Sequence, residues 1–481
     1  MHRRNFIQLS AISAAVLVTG CTTKSDEALP VETGLISGSA LFIPALLDPV
    51  ADTNGVKQFN LSIKESTHKF YSEYDTKTYG IDASYLGPTL LLRQGEKVSI
   101  NYKNELLETT TMHGHGMHLP AKMDGGPHQL IEVGATWSAQ YTVNQNACTN
   151  WYHPHEMGKT ADHVYMGLAG MIIVEDNEST GLGLPSSYGV DDIPLVIQDR
   201  LFDALGQFNY NPSNQQIMRG YRGDTIITNG QVSPIFDAKS GLLRLRLLNG
   251  SNAGLYRFSL ADNRAFNQIA GDNSLLEKPV SITSVLLSPG ERAEIIVDLS
   301  NDIGTKLDLM VNEEIDNLTK IALSINVQAE IADIVTLPNT LAILDIADAT
   351  QAVNTRSFTL EGSGMGGPTL TINNKEMDMA IYNETVPLNQ IEIWEITNTM
   401  NMPHNFHIHA THFRLIERNG STSAVSETEK GYKDVVFIPA NEKVKVLIQM
   451  LDYTDATSPY MYHCHFLEHE DAGMMGQFIV V

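Results

Sequence analysis

Four His-x-His pairs constrain this chain more than any other feature: His113-Gly114-His115, His153-Pro154-His155, His407-Ile408-His409 and His463-Cys464-His465. Alternate side chains of an extended strand leave on the same face, so each pair presents two imidazoles side by side. Eight imidazoles from four strand segments, with one thiol on a reverse face, describe a transition-metal site. A fold that gathers them must bring distant strands to one point.

The rest of the sequence reads as strands. Leu242–Leu247, Gln390–Ile396 and Val444–Ile448 alternate apolar and polar residues, Gly and Pro mark frequent turns, and long amphipathic helices are absent. A strand ending in Asn recurs at Asn104, Asn249 and Asn398, each followed by a turn and a further strand. Three copies of roughly 150 residues predict three similar β-sandwiches. Residues 46–180, 181–335 and 345–481 are the expected units, after a leader (1–21) and a linker (22–45). No histidine lies between His163 and His404, so the outer units carry the metal chemistry and the middle one reads as a spacer. The cluster Gly362–Gly367 precedes Pro368 and a strand, not a helix, which excludes a nucleotide-binding loop.

Composition narrows the partners. A net charge of −24 argues against nucleic acid. Arg3-Arg4-Asn5-Phe6-Ile7 and a short apolar stretch ending at Val18-Thr19-Gly20-Cys21 form a twin-arginine leader that resembles a lipoprotein signal. Export to the periplasm with a lipid anchor at Cys21 is the expectation, and a monomer otherwise. With Cys464 given to a metal, Cys148 has no partner and reads as a small buried residue.

Parity sorts the ligands further. His404 precedes His407 by three residues, so on an extended strand it faces away from His407 and His409, toward Cys464. His469 and Met474 follow Cys464 by five and ten residues, on a loop able to fold back. Two imidazoles, a thiolate and a long thioether make a blue-copper set. Structural zinc would close around four ligands and leave eight paired imidazoles unused.

These motifs resemble the three-domain multicopper oxidases, especially the bacterial periplasmic branch of cuprous oxidases and laccase-like enzymes. The likeness runs from about Gly87 to Val481 and covers Met112–Gly116, Trp151–His155, Pro403–His409 and His463–Met474, with Leu245–Gly250 and Ser288–Arg292 matching in the middle unit. It implies cupredoxin-like Greek-key sandwiches and four copper ions. One is a type 1 copper at His404, Cys464, His469 and Met474, and one a type 2 copper at His113 and His407. Two type 3 coppers would take His115, His153, His155, His409, His463 and His465. It further implies reduction of O2 to water by four electrons taken singly from a small donor and passed by way of Cys464, with Asp124 and Glu470 supplying protons. Phenols or aromatic amines are the favoured donors, because the segment from Ser363 to Met379 is short where cuprous oxidases carry a methionine-rich insertion. Met400, Met402 and Asp378 keep Cu(I) open as the alternative donor. A copper-free structural protein on the same fold, or a simple electron carrier, would not need all ten histidines. Gly114 and Asn405 depart from the family pattern, which has a bulky aromatic and a proline there.

Overall fold

The computed structural model describes residues 34–53, 55–331, 336–345, 347–363 and 369–481. The leader and Cys21 lie outside the described residues, as do Met365 and most of the glycine cluster. Among the described residues no helix is long and apolar enough to cross a membrane.

The chain folds as three consecutive cupredoxin-like β-sandwiches, the architecture expected. In the first, a sheet built on Val56–His68, Lys97–Asn104 and Thr136–Thr142 faces one ordered Leu90–Arg93, Gly170–Glu175, Cys148–His153, His113–His115. The middle sandwich pairs a seven-stranded with a five-stranded sheet, its strands running from Asp192–Arg200 to Leu318–Ile331. In the third, a six-stranded sheet centred on Ile391–Asn398 and Lys443–Gln449 faces a five-stranded one holding Asp455–His463, His404–Ile408 and Val435–Ile438. Alternation decides the faces. Along Ile391–Asn398 every second residue is buried, which turns Trp394 and Ile396 into the third core.

The recurring asparagine has one physical role in all three copies. Asn104, Asn249 and Asn398 are each buried at a strand end. Each side-chain amide donates to loop carbonyls: Glu108 and Ile131, then Gly254 and Leu287, then Met402 and Ile438. Each Oδ1 accepts the N–H two residues on. Polar groups of a buried corner are thereby satisfied.

The sandwiches are tied together by polar and apolar contacts. Residues 34–47, most of them in the expected linker, run across both early sandwiches; Leu41 N–H donates to Ile235 O at 2.7 Å and Leu47 N–H to Thr89 O at 2.9 Å. Phe70, Tyr85 and Trp151 of the first sandwich pack with Val196, Ile227 and Leu248 of the second. At the centre, the fully buried Arg292 of the middle sandwich grips Asp434 of the third at 2.7 and 2.6 Å. It also donates to Thr149 O (2.8 Å) and Asn150 Oδ1 (2.5 Å) of the first. One side chain therefore spans all three units, and the middle sandwich is more than a spacer. Removing one partner of a buried ion pair leaves the other charge unsolvated. Arg292→Met is expected to destabilise the assembly by about 3–5 kcal/mol, seen as a lower thermal unfolding midpoint; an unchanged midpoint refutes the joint's role.

Candidate metal centre

Strand pairing brings the histidine pairs together. His113 lies opposite His153 in one sheet, and His407 opposite His463 in another. The histidine-bearing strand ends of these two sheets meet, and all eight imidazoles are buried. His155 Nε2 and His409 Nε2 each stand 3.1 Å from His463 Nε2. His113 and His409 stack at 3.9 Å, as do His115 and His407.

Neighbouring groups orient the rings so that nitrogen lone pairs converge. Asp124 O lies 2.7 Å from His113 Nδ1, and Asp434 O lies 2.8 Å from His407 Nδ1. Both Nε2 atoms are then buried without a partner. Pro154 O and Cys464 O hold Nδ1 of His153 and His463 in the same manner. Asp124 Oδ2 sits 2.7 Å from His409 Nδ1. Glu470 contacts His155 Nδ1 at 3.3 Å and His463 Nδ1 at 3.2 Å. Fixing one ring nitrogen presents the other as a ligand. Two further groups gather here: His113 with His407 and His409, and His113 with His115 and His153. His465 completes the wall, its ring 4.9 Å from that of His115 and 5.3 Å from that of His153. Both its ring nitrogens lack partners.

On the reverse face of the same strand end, His404, Cys464 and His469 form a separate group. Cys464 Sγ is 3.4 Å from His404 Nδ1 and 3.6 Å from His469 Nδ1. His469 is carried by the short helix Leu467–Asp471 rather than by a loop. Met474 is fully buried, and its carbonyl accepts from Cys464 N–H at 3.1 Å. Outward access is partly covered. Met400 Sδ lies 3.1 Å from His404 Nε2, and Met218 O of the middle sandwich lies 3.3 Å from His469 Nε2. Met402 is half-buried nearby in sequence. Asp378 is exposed, and its carboxylate accepts from Ala380 N–H, closing its own turn.

The protonation chemistry suits a cation. Burial holds His115, His153, His404, His407 and His409 well below the ordinary imidazole value. It brings His155 and His469 down to about 4 and His465 to about 3. Neutral imidazole is the form that binds metal. Burial pushes the Cys464 thiol up to about 12, so a metal must displace its proton. Crowded lone pairs, orphaned Nε2 atoms and a soft thiolate-thioether set all fit copper.

Several groups that serve this centre are not among the expected ligands. Asp434 Oδ1 meets His115 Nε2 at 2.9 Å, and Asn273 donates to Asp434 Oδ2 at 2.5 Å. Gly290, at φ +84°, brings the middle sandwich's turn against the metal pocket, where a Cβ would stand 3.2 Å from His115 and His465. Asn405 explains its own departure from the family pattern. Its Oδ1 accepts from His465 N–H at 2.6 Å, and its amide donates to Ser288 Oγ and Pro289 O of the middle sandwich. At Gly114, Met117 and Leu119 fill the space that a larger side chain would need.

Residues 62–179 and 340–481 match multicopper oxidase family profiles. The multicopper oxidase mco of Staphylococcus aureus is 37% identical over 441 residues, 91% of this chain and 91% of that protein. The chain belongs to the multicopper oxidase family. A laccase-like multicopper oxidase, CueO from Ochrobactrum sp., superposes with a TM-score of 0.85 at 35% identity, covering 92% of this chain and 100% of that one. The cell division protein FtsP of Xenorhabdus nematophila is 32% identical over 493 residues, 100% of this chain and 98% of that protein. Membership in this multicopper oxidase family implies copper cofactors and oxidoreductase chemistry.

Depressed imidazole basicity ties stability to pH. The metal-free protein binds protons at these imidazoles more weakly than its unfolded chain, whose histidines titrate near 6.5. Below that pH the unfolded state therefore gains protons that the fold refuses. Stability of the metal-free protein is expected to fall as pH drops from 6.5 toward about 4. The loss approaches about 1.4 kcal/mol per pH unit for each unprotonated imidazole, measured as the denaturant midpoint. A midpoint flat across that range contradicts the neutral assignment. Separately, Asn405→Ala leaves the His465 N–H unpaired and is expected to lower stability by about 1–3 kcal/mol. Asn405→Asp keeps the acceptor but sets a buried carboxylate oxygen against Pro289 O, and is expected to lose at least as much in the same unfolding assay.

Proposed function

We propose that this chain is a four-copper oxidase coupling four one-electron oxidations of a small aromatic donor to the reduction of O2 to water. The observation that carries the reading is the strand end His463-Cys464-His465. Cys464 belongs to the group with His404 and His469, while His463 belongs to the group with His155 and His409. Two ligand sets are thus joined by a single peptide unit. An electron carrier would need only the first set, and a scaffold neither. Ten of the sixteen histidines serve these sets.

Copper bound there would supply one-electron redox steps at the thiolate set and a place for O2 among the imidazoles. The chain's own residues do the remainder. His404, Cys464, His469 and Met474 would hold type 1 copper, and His113 with His407 would hold type 2. His115, His153, His155, His409, His463 and His465 would hold the type 3 pair. Asp124, against His409 Nδ1, and Glu470, between His155 and His463, are placed to keep protons beside the imidazole pocket. Burial of the whole pocket excludes bulk water from both carboxyl groups.

A phenol or aromatic amine is the favoured donor. The short segment before Met379 supports it, as does the oxidase activity towards lignin model compounds of the Ochrobactrum relative. Cu(I) oxidation is the second reading, favoured by the thioether of Met400 on His404 Nε2. We further propose twin-arginine export and lipid anchoring at Cys21 in the periplasm, with the enzyme monomeric.

Oxygen consumption by copper-loaded protein, with 2,6-dimethoxyphenol and with Cu(I), tests the reading. Cys464→Ser is expected to abolish turnover of both, and Met400→Leu to reduce Cu(I) turnover more than phenol turnover. Retained oxygen consumption in Cys464→Ser overturns the proposal, and turnover of Cu(I) alone transfers it to the second reading.

A further inference from the structure

Away from the metal ligands, a half-buried arginine in the wall of a cavity lacks an anion among the described residues. A cavity of ≈ 270 Å³ opens between the first and third sandwiches, beside the segment that leads into the third. His118, Asn273, His412, Arg414, Tyr432 and Leu451 are among the residues that line it. Arg414 projects from the strand Phe413–Arg418. Its Nε and Nη1 are buried without a hydrogen-bond partner. Among the described residues it forms no ion pair; Tyr432 covers it instead, with the ring centroid 5.7 Å from the guanidinium carbon.

The buried Arg246 and Arg292 give the contrast. Burial lowers Arg246 and Arg292 too, but their paired carboxylates more than reverse the effect. Arg414 stays lowered by burial, against only the weaker pull of Tyr432 and Glu277. A guanidinium held in a wall without a counter-charge marks the place of an absent partner.

We propose that this cavity binds a small organic monocarboxylate, its carboxylate on Arg414 and its apolar body against Tyr432 and Leu451. The planar guanidinium matches a carboxylate better than a spherical ion. A bare inorganic anion would leave the apolar wall facing water. The volume suits a single ring, since pockets for drug-sized ligands run to about 300–1,000 Å³. A second carboxylate has no place. His412 Nε2 donates to Gly116 O at 3.0 Å, which leaves its Nδ1 an acceptor, and Asp452, 3.1 Å from His118, adds negative charge at the rim. The net charge of −24 gives no long-range attraction, so affinity rests on the local guanidinium. Asn273 links this wall through Asp434 to His115, and an occupant lies two hydrogen bonds from a ligand imidazole without touching one.

Titration calorimetry of the full copper-loaded chain with sodium benzoate tests the site. Saturable binding is expected with a Kd on the order of millimolar. Arg414→Met is expected to weaken it about tenfold or more. Leu451→Trp narrows the mouth from an exposed position and is expected to weaken binding as well, which keeps the test alive if Arg414→Met misfolds. No saturable benzoate heat in the wild type overturns the proposal, as does unchanged affinity in a folded Arg414→Met. Chloride competing on equal terms also overturns it, leaving a counter-ion site only. Because calorimetry reads binding, failure of the oxidase reading and failure of this one are separately visible.

Discussion

The buried pair between Arg292 and Asp434 is the contact on which the rest depends. Asp434 holds two imidazoles at once, His115 through its carboxylate and His407 through its backbone carbonyl. Those rings belong to different sandwiches. Their relative placement is set only when Asp434 is itself fixed, and Arg292 from the middle sandwich fixes it. The desolvation of this pair is offset by further hydrogen bonds to Thr149, Asn150 and Gly290. The metal pocket is therefore a product of domain docking, not of either outer sandwich alone.

That dependence separates what the sequence discloses from what it hides. Parity along a strand is a local property, so the facing of His404 toward Cys464 and the shared face within each histidine pair are legible in the sequence itself. The recurring Asn104, Asn249 and Asn398 are visible there as a repeat, although their clasp on loop carbonyls is not. Asp434, Asn273 and the cover given by Met218 act through space between units and leave no periodic trace. Arg292 stands in a recognisable motif, yet nothing in its neighbours predicts a reach into three sandwiches. Asn405 stands out as a departure from the family pattern, and only its contacts with Ser288 and Pro289 show that the departure joins domains.

The middle sandwich illustrates the same lesson from another side. Lacking histidine, it reads as a spacer. Yet it supplies Arg292, the close turn at Gly290 and the carbonyl of Met218 over His469. Asn252 donates to Glu468 at 2.9 Å and Tyr221 N–H does so at 3.1 Å, pinning the helix that carries His469. Ligand counting finds metal-binding residues; it cannot find the residues that aim them.

The outer sandwiches hold four of their metal-facing rings by matched devices, which makes the differences at neighbouring positions informative. His113 and His407 lean on the carbonyls of Asp124 and Asp434, and His153 and His463 on the carbonyl of the next residue. At the register of Cys464 the first sandwich has Pro154, and at the register of His404 it has Thr110. There Thr110 Oγ1 pairs with His163 Nδ1 at 3.1 Å, and that corner forms no thiolate set. A proline cannot bind metal, and a hydroxyl is a poor ligand for a soft cation. Among the described residues, a thiolate set flanks the shared imidazole pocket on the third-sandwich side alone. The asymmetry of two side chains in otherwise parallel frameworks gives the centre a direction.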